Sequence, residues 1–170
     1  MRKAEINRKT KETEIQLSLN LDGKGKSSIS TPFGMLSHML EQISKHASID
    51  LDIKVNGDTE TGSHHVVEDT AIVLGEAFDK ALGDRAGIER MADSTVPLDE
   101  SLSMAAIDLG GRGYHSVEIL PSNQMGDFPT DMARHFFETL AVETKMALHI
   151  KTISGKNEHH IIESAFKAFS

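Results

Sequence analysis

The sequence contains the phrase His-His-x-x-x-Glu twice, and the phrase has the residue types of a metal site. The first copy occupies residues 64–68 and the second occupies residues 159–163. A single histidine precedes each copy at a similar distance, His38 before the first and His135 before the second. Imidazole nitrogen and carboxylate oxygen are common ligands of divalent transition metals. The repeat therefore predicts two similar half-domains that together build a two-metal site.

If each copy is helical, its residues project from different faces of the helix. Residues four apart lie on one face of a helix, so His64 and Glu68 can bind the same ion. The adjacent His65 is rotated by about 100°, and we hypothesise that it serves the ion of the other copy. The two predicted ligand sets are His64, Glu68, His135 and His160 for one ion, and His38, His65, His159 and Glu163 for the other. Such sites suit Mn, Fe, Co, Ni or Zn. Asp69 could orient one of the imidazoles through a hydrogen bond.

The remaining histidines are weaker candidates. His149 lies in an alternating segment and competes with His135 as a ligand, but only His135 matches the spacing of His38. His46 lies farther along the same helical segment as His38 and could line the same pocket. His115 is interpreted as an ordinary strand residue.

The elements that must position these residues follow the same order in both halves. Apolar and polar residues alternate where we predict strands, and helical spacing marks the helices. The predicted strands are residues 15–21, 28–30, 49–55, 103–109, 114–120 and 145–153. The predicted helices begin at Thr31–Pro32, with Thr31 as N-cap, and occupy residues 64–82, 129–143 and 158 onwards. Each half is then strand, strand, helix, strand, helix.

This order predicts an α+β fold of two pseudo-symmetric, split βαβ-like halves. Each half would have a mixed sheet with helices packed on one face. The predicted halves are residues 1–90 and 91–170, which together form one compact unit of 170 residues. No Pro/Ser-rich linker separates them.

Composition limits the classes of partner. The net charge of −8 argues against nucleic acid or an anionic membrane as the main partner. No apolar run is long enough to span a membrane, and no signal peptide is found. The absence of cysteine excludes thiolate metal sites and fits a cytoplasmic protein. A local basic residue could still bind a phosphate.

Several phrases resemble the imidazoleglycerol-phosphate dehydratase family along nearly the whole chain. They are Arg-Lys-Thr-Lys-Glu-Thr at 8–13, His-Met-Leu at 38–40, Asn-Gly-Asp at 56–58, His-His-Val-Val-Glu-Asp at 64–69, Leu-Gly-Asp at 82–84, Gly-Ile-Glu-Arg at 87–90, Pro-Leu-Asp-Glu at 97–100, Asn-Glu-His-His at 157–160, and Phe-Lys-Ala-Phe at 166–169. The resemblance implies dehydration of imidazoleglycerol phosphate to imidazole acetol phosphate, in histidine biosynthesis. It also implies two manganese ions per site, and sites shared between subunits of a 24-subunit homo-oligomer.

The resemblance also implies roles for residues outside the repeat. Glu12 would be the general acid or base, and Arg90, Arg112 and Lys167 would bind the substrate phosphate. Glu14 would share a strand face with Glu12, but it does not match the family phrase. His46 is the remaining candidate for substrate binding.

The sequence departs from the family pattern in its loops and at its end. Gly113 stands where the family usually has proline. The family also carries a Ser-x-Lys-Gly loop on the substrate phosphate, which the sequence to Ser170 does not contain. Either the given sequence is truncated or the protein lacks part of the usual phosphate site, and this bears on turnover more than on metal binding. Two other readings stay open: a phosphoesterase that reuses the same metal site, and a metal-binding shell without catalysis.

Overall fold

The computed structural model describes residues 1–60, 62–121 and 127–170, and within them the chain forms eight strands and four helices. Half one comprises β1 (Lys3–Lys9), β2 (Thr13–Asn20), β3 (Ser27–Ser30), α1 (Gly34–His46), β4 (Asp50–Gly57) and α2 (His64–Leu82). Half two comprises β5 (Met91–Leu98), β6 (Ser101–Asp108), β7 (Tyr114–Glu118), α3 (Thr130–Thr144), β8 (Ala147–Ser154) and α4 (Glu158–Phe169). The predicted division at residue 90 falls between α2 and β5.

Each half builds a mixed four-stranded sheet with an equivalent strand order. The order is β1-β2-β4-β3 in half one and β5-β6-β8-β7 in half two. The neighbours are antiparallel except for β3–β4 and β7–β8, which are parallel because a helix crosses between them. In β2 every second residue is buried, as expected when one sheet face covers a core. The predicted α+β fold with two similar halves is confirmed.

The four helices pack between the two sheets. Helix α2 packs on the sheet of half one and α4 on the sheet of half two, while α1 contacts β3, and α3 contacts β7 and β8. Across the halves, α1 contacts α4 and α2 contacts α3. Apolar side chains from both halves form one continuous core. Within half two, the Phe137 ring of α3 and the Phe166 ring of α4 lie 4.4 Å apart. Among the described residues, none of the helices is long and apolar enough to cross a membrane.

A glycine in each half allows the second helix to pack close to the sheet. A Cβ on Gly57 would lie 2.6 Å from Val66, and a Cβ on Gly155 would lie 2.5 Å from Ile161. Val66 and Ile161 each follow the second histidine of the repeated phrase. The two glycines therefore occupy equivalent positions in the two halves.

These glycines identify the equivalent residues on the neighbouring strands. Thr13 is opposite Gly57 in the β2–β4 register, and the Ser101 Oγ would lie 2.6 Å from a Cβ on Gly155. Thr13 begins β2 and Ser101 begins β6. The residues directly before them, Glu12 and Glu100, are therefore equivalent by the internal symmetry.

The first strand of each half was not predicted from the sequence. Both β1 and β5 lie at the edge of a sheet, where fewer side chains face the core. In both strands less exposed residues alternate with exposed ones, but only Ala4 is buried in β1 and no residue of β5 is, so the apolar signal is weak. Pro97, which cannot donate to a strand ladder, is tolerated at this edge position. The predicted order of strand, strand, helix, strand, helix was therefore wrong by one strand in each half.

The predicted start of α1 was also wrong. The helix begins at Gly34, after an extended Phe33, rather than at Thr31–Pro32. The Thr31 hydroxyl donates to the carbonyl of Phe33 at 2.8 Å and lies 2.9 Å from the hydroxyl of Ser37. These bonds stabilise a turn before the helix. Helix α2 has the predicted bounds.

Candidate metal centre

The first cluster of possible ligands consists of His64, Glu68 and His135. His64 and Glu68 are one turn apart at the start of α2, and their Nε2 and Oε2 atoms are 3.6 Å apart. His135 reaches them from α3, with its Nε2 3.6 Å from Glu68 Oε1. The two imidazoles stack with their centroids 4.7 Å apart and their planes 18° apart. One ligand atom from each residue lies within 4.8 Å of the others.

The second cluster consists of His38, His159 and Glu163. Oε2 of Glu163 is 2.8 Å from Nε2 of His159 on α4 and 3.3 Å from Nε2 of His38 on α1. Its other oxygen accepts a hydrogen bond from Lys167 at 2.6 Å. Burial alone would raise the pKa of this carboxyl, but Lys167 and the two imidazoles lower it to about 2. Glu163 is therefore an anion at neutral pH.

Each cluster draws its residues from both halves of the chain. The first joins α2 of half one to α3 of half two, and the second joins α1 of half one to α4 of half two. In α2 and α3 the contacts advance in the same direction, from His64 beside His135 to Gly75 beside Glu143. These helices consequently run parallel, which places the upstream histidine beside the repeated phrase of the other half.

The residues of the first cluster fit a divalent metal ion. Nε2 of His135 is buried without a hydrogen-bond partner among the residues that the structure describes. A buried polar atom in that state costs about 1–3 kcal/mol unless something satisfies it. A metal ion between His135, His64 and Glu68 would do so. Two imidazoles and a carboxylate in each cluster are ligands suited to transition metals rather than to calcium or magnesium.

The family model for imidazoleglycerol-phosphate dehydratase matches residues 31–170. The imidazoleglycerol-phosphate dehydratase of Dehalococcoides mccartyi is 49% identical over 170 residues, which are 99% of this chain and 85% of the relative. The enzyme of Methanosarcina mazei is 47% identical over 173 residues, covering 100% of this chain and 89% of the relative. The chain belongs to the imidazoleglycerol-phosphate dehydratase family.

The crystal structure of imidazoleglycerol-phosphate dehydratase from Staphylococcus aureus agrees with this fold. It matches with a TM-score of 0.87 and 32% identity over 98% of this chain and 93% of that chain. The family predicted from the short phrases is confirmed, and so is the prediction of a dehydratase. The two similar α+β halves are thus the fold of the imidazoleglycerol-phosphate dehydratase family.

Two predicted ligands of this dehydratase lie outside both clusters in a single chain. The buried Nδ1 of His65 has no hydrogen-bond partner among the described residues. His160 instead turns to the β5–β6 connection, where its Nδ1 lies 2.7 Å from Oε2 of Glu100 and its Nε2 lies 3.7 Å from Oδ2 of Asp99. Among the described residues of one chain, His65 and His160 therefore join neither cluster, and their exchange between the two ions stays a prediction.

Asp69 has a different role from the one expected. Its carboxylate accepts a hydrogen bond from the buried Thr13 hydroxyl and pairs with Arg8 at 3.2 Å, and the Thr10 hydroxyl lies 3.5 Å away. Among the described residues it has no hydrogen bond to an imidazole. Asp69 thus attaches the turn that carries Glu12 to helix α2. The Glu12 side chain itself is exposed.

The four predicted substrate-binding residues lie in two separate places. Lys167 binds Glu163 and lies near His46, where partial desolvation, Lys167 and Lys45 lower the pKa of His46. Arg90 instead binds Asp108 through two hydrogen bonds of 2.5 and 2.8 Å.

The charge of Arg112 also contributes to the lowered pKa of Asp108, after the larger effect of Arg90. Asp108 ends β6, whereas Glu100 and His160 are at its beginning. Because β6 has eight residues, the Arg90–Asp108 pair lies about 25 Å from that end of the sheet.

The structure also separates the competing histidines. His149 is exposed on β8 beside the Tyr114 ring, with centroids 5.7 Å apart, whereas His135 joins the first cluster. His115 lies 4.0 Å from Glu138 beside a shallow pocket that also contains Glu68 and His135. Glu100, which contacts His160, was not among the predicted site residues and lay only within a family phrase. Its place before β6, matching Glu12 before β2, was the available signal.

Proposed function

We propose that this dehydratase converts D-erythro-imidazoleglycerol phosphate to imidazole acetol phosphate in histidine biosynthesis, with two divalent metal ions per site. The observation that carries the metal dependence is the pair of clusters, each with two imidazoles and one carboxylate. Manganese is the first candidate, and other divalent transition metals suit the same ligands. Bound metal would supply Lewis acidity toward the substrate's imidazole and an oxygen.

Glu12 is the proposed group that moves the proton. A dehydration removes a proton from carbon and expels a hydroxyl, so a positioned acid or base is needed. The Glu12 carboxylate is exposed, yet its turn is fixed because Thr13 and Thr10 contact Asp69. Asp69 directly follows the ligand Glu68 on α2. This arrangement supports a role for Glu12 close to the first cluster.

The proposed phosphate ligands are Arg90, Arg112 and Lys167, with His46 as a further contact to the substrate. Arginine can bind phosphate oxygens through parallel hydrogen bonds, and the Arg90 guanidinium already binds a carboxylate in this way. The Lys167 ammonium is proposed to contact both Glu163 and the substrate phosphate. These cations would give an otherwise acidic chain its affinity for a phosphorylated substrate.

We propose that the active site is shared between subunits of a symmetric homo-oligomer, with 24 subunits as implied by the family phrases. Two observations support sharing. His65 and His160 are outside the clusters of their own chain. Arg90 and Arg112 lie at the end of the sheet away from His160. A symmetric assembly can bring both sets to one site. A cytoplasmic location stays a prediction from the sequence.

The test combines metal analysis with a substrate assay. The purified chain, loaded with Mn²⁺, is expected to convert imidazoleglycerol phosphate to the acetol phosphate, and a chelator is expected to abolish the turnover. Release of free phosphate would favour a phosphoesterase instead. Bound metal without turnover would favour a non-catalytic shell, and full turnover after complete metal removal would contradict the metal dependence.

A further inference from the structure

Glu100 connects the hairpin of half two to the start of helix α4. Oε1 of Glu100 accepts hydrogen bonds from the backbone amides of Asn157 at 2.8 Å and Lys156 at 3.2 Å. Its other oxygen, Oε2, lies 2.7 Å from Nδ1 of His160. Glu100 is therefore a fixed carboxylate rather than a mobile surface group.

This contact determines which nitrogen of the neutral His160 ring carries the proton. A carboxylate can only accept, so the proton of neutral His160 must lie on Nδ1. The other nitrogen, Nε2, then has a free lone pair. Nε2 is 3.7 Å from Oδ2 of Asp99, which is beyond hydrogen-bond distance. Asn157 also fixes the position of the backbone, because its side chain accepts a hydrogen bond from the His160 amide at 3.3 Å.

We propose that Glu100 is a positioning residue that holds His160 with Nε2 presented to a divalent metal ion. His160 follows the ligand His159, but it points about 100° away from it, so the ion is not the one bound by His159 and Glu163 of the same chain. Carboxylates that hold the second nitrogen of a ligating imidazole fix its tautomer and orientation. The inference rests on the proposed metal-dependent function.

The equivalent position in half one argues that this contact is specific. Glu12 occupies the place of Glu100, but there the backbone carbonyl of Glu12 accepts the loop amide, from Asp58 at 2.9 Å. The Glu12 carboxylate is consequently exposed, and the equivalent His65 lacks a partner at Nδ1 among the described residues. The hairpin of half one therefore folds without a hydrogen bond between a glutamate side chain and the imidazole. In half two, the Glu100–His160 contact is present as well.

The test is a Mn²⁺ titration of the full-length Glu100→Gln chain, with free Mn²⁺ measured by electron paramagnetic resonance. In this variant the amide oxygen can keep the bonds to Lys156 and Asn157, but the amide nitrogen would donate to Nδ1 of His160. That contact would force the proton onto Nε2 and oppose metal binding. We expect one class of Mn²⁺ sites to weaken about 10–100-fold while the other class keeps its affinity.

Asp50→Asn is the matched control. The Asp50 carboxylate also accepts two loop amides, from Lys24 at 2.8 Å and Lys26 at 3.0 Å, and touches no histidine among the described residues. It is expected to bind Mn²⁺ like the wild type. Equal affinity in Glu100→Gln and wild type overturns this inference alone. Absence of Mn²⁺ binding by the wild type overturns the proposed metal function as well.

A second measurement applies if Glu100→Gln does not fold. Nitrogen-15 solid-state NMR of the metal-free, histidine-labelled wild type, assigned with His160→Gln, reports which ring nitrogen carries the proton. We expect the Nδ1–H tautomer for His160. The Nε2–H tautomer would overturn the inference.

Discussion

The hairpins that open the two halves carry equivalent glutamates in their turns, directly before β2 and β6, but the two side chains have different surroundings. In half two, Glu100 binds two loop amides and the His160 ring. In half one, the backbone carbonyl of Glu12 accepts the hydrogen bond from the loop amide of Asp58, and the Glu12 side chain is exposed. The adjacent Thr13 is instead attached to Asp69. The turn of half one is thus fixed without using the carboxylate.

This difference shows how a duplicated scaffold can carry unequal chemistry. The repeated helices keep the same ligand residues, so the two clusters remain similar. The hairpins differ, because the Glu100 carboxylate binds two loop amides and His160, whereas the Glu12 carboxylate is exposed and is the proposed group for proton transfer. The comparison predicts that variants of the clusters should behave alike, whereas variants of the hairpins should not.

The largest effect is expected from removing the cluster carboxylates. Glu68→Gln and Glu163→Gln should each lower kcat by about 10⁴-fold, because several kcal/mol of Lewis-acid stabilisation would be lost. Each variant should also bind fewer Mn²⁺ ions than the wild type, as measured by atomic absorption. Near-normal turnover in only one of them would show that the two clusters are not equivalent.

Glu12→Gln tests the division between the two glutamates. We expect kcat to fall by about 10²–10⁴-fold, the usual contribution of a general acid or base, while the Mn²⁺ content stays normal. Glu100→Gln should instead weaken Mn²⁺ binding. Steady-state kinetics and metal content measured on the same samples distinguish the two. A loss of metal in Glu12→Gln would contradict the proposed division.

The buried hydroxyls of the hairpins should differ in stability. Thr13→Val removes a hydrogen bond to the charged Asp69 and should cost about 1.5–3 kcal/mol. Ser103→Ala, the control in half two, removes contacts with two uncharged hydroxyls, Ser164 at 2.7 Å and Thr152 at 3.4 Å, and should cost about 0.5–1.5 kcal/mol. Urea unfolding at equal protein concentration measures both. The opposite order would mean that Asp69 does not hold the turn of half one.

The smallest effect concerns the acid side of the stability curve. Hydrogen bonds from the amides of Lys24 and Lys26 lower the pKa of Asp50 from its usual 3.8. A lowered carboxyl pKa stabilises the fold above the unfolded value, and this stability is lost as the pH falls through the folded pKa. The Tm of Asp50→Asn should therefore approach that of the wild type between about pH 6 and about pH 3. A Tm difference that stays constant over this range would contradict the assignment.

Much of the fold was predictable because its strands and helices have clear periodicity. Helix α2 matched its predicted bounds, since its apolar residues recur at helical spacing. Strands β1 and β5 were missed because an edge strand needs little apolar alternation. The start of α1 was misplaced because the Thr31 hydroxyl bonds to Phe33 and Ser37 in a turn, instead of capping the helix.

The candidate site was predictable only in part. The pairs within a helix, such as His159 with Glu163, follow from spacing alone. Arg90 lies beside Asp108 at the end of β6, whereas His160 lies near the beginning of β6, and this separation could not be predicted from the sequence. It depends on the order and direction of the strands in the sheet, which are set by contacts between residues far apart in the chain.

The sequence by itself determined the family, the two similar halves and the residue types of the metal site. These follow from local spacing, since residues four apart on a helix must share a face. Tertiary structure alone decided which distant residues meet: His38 with the helix of half two, His135 with the helix of half one, and His160 with Glu100. The physical reason is that these contacts join elements far apart in the chain, and only the packing of two helix layers between two sheets brings them together.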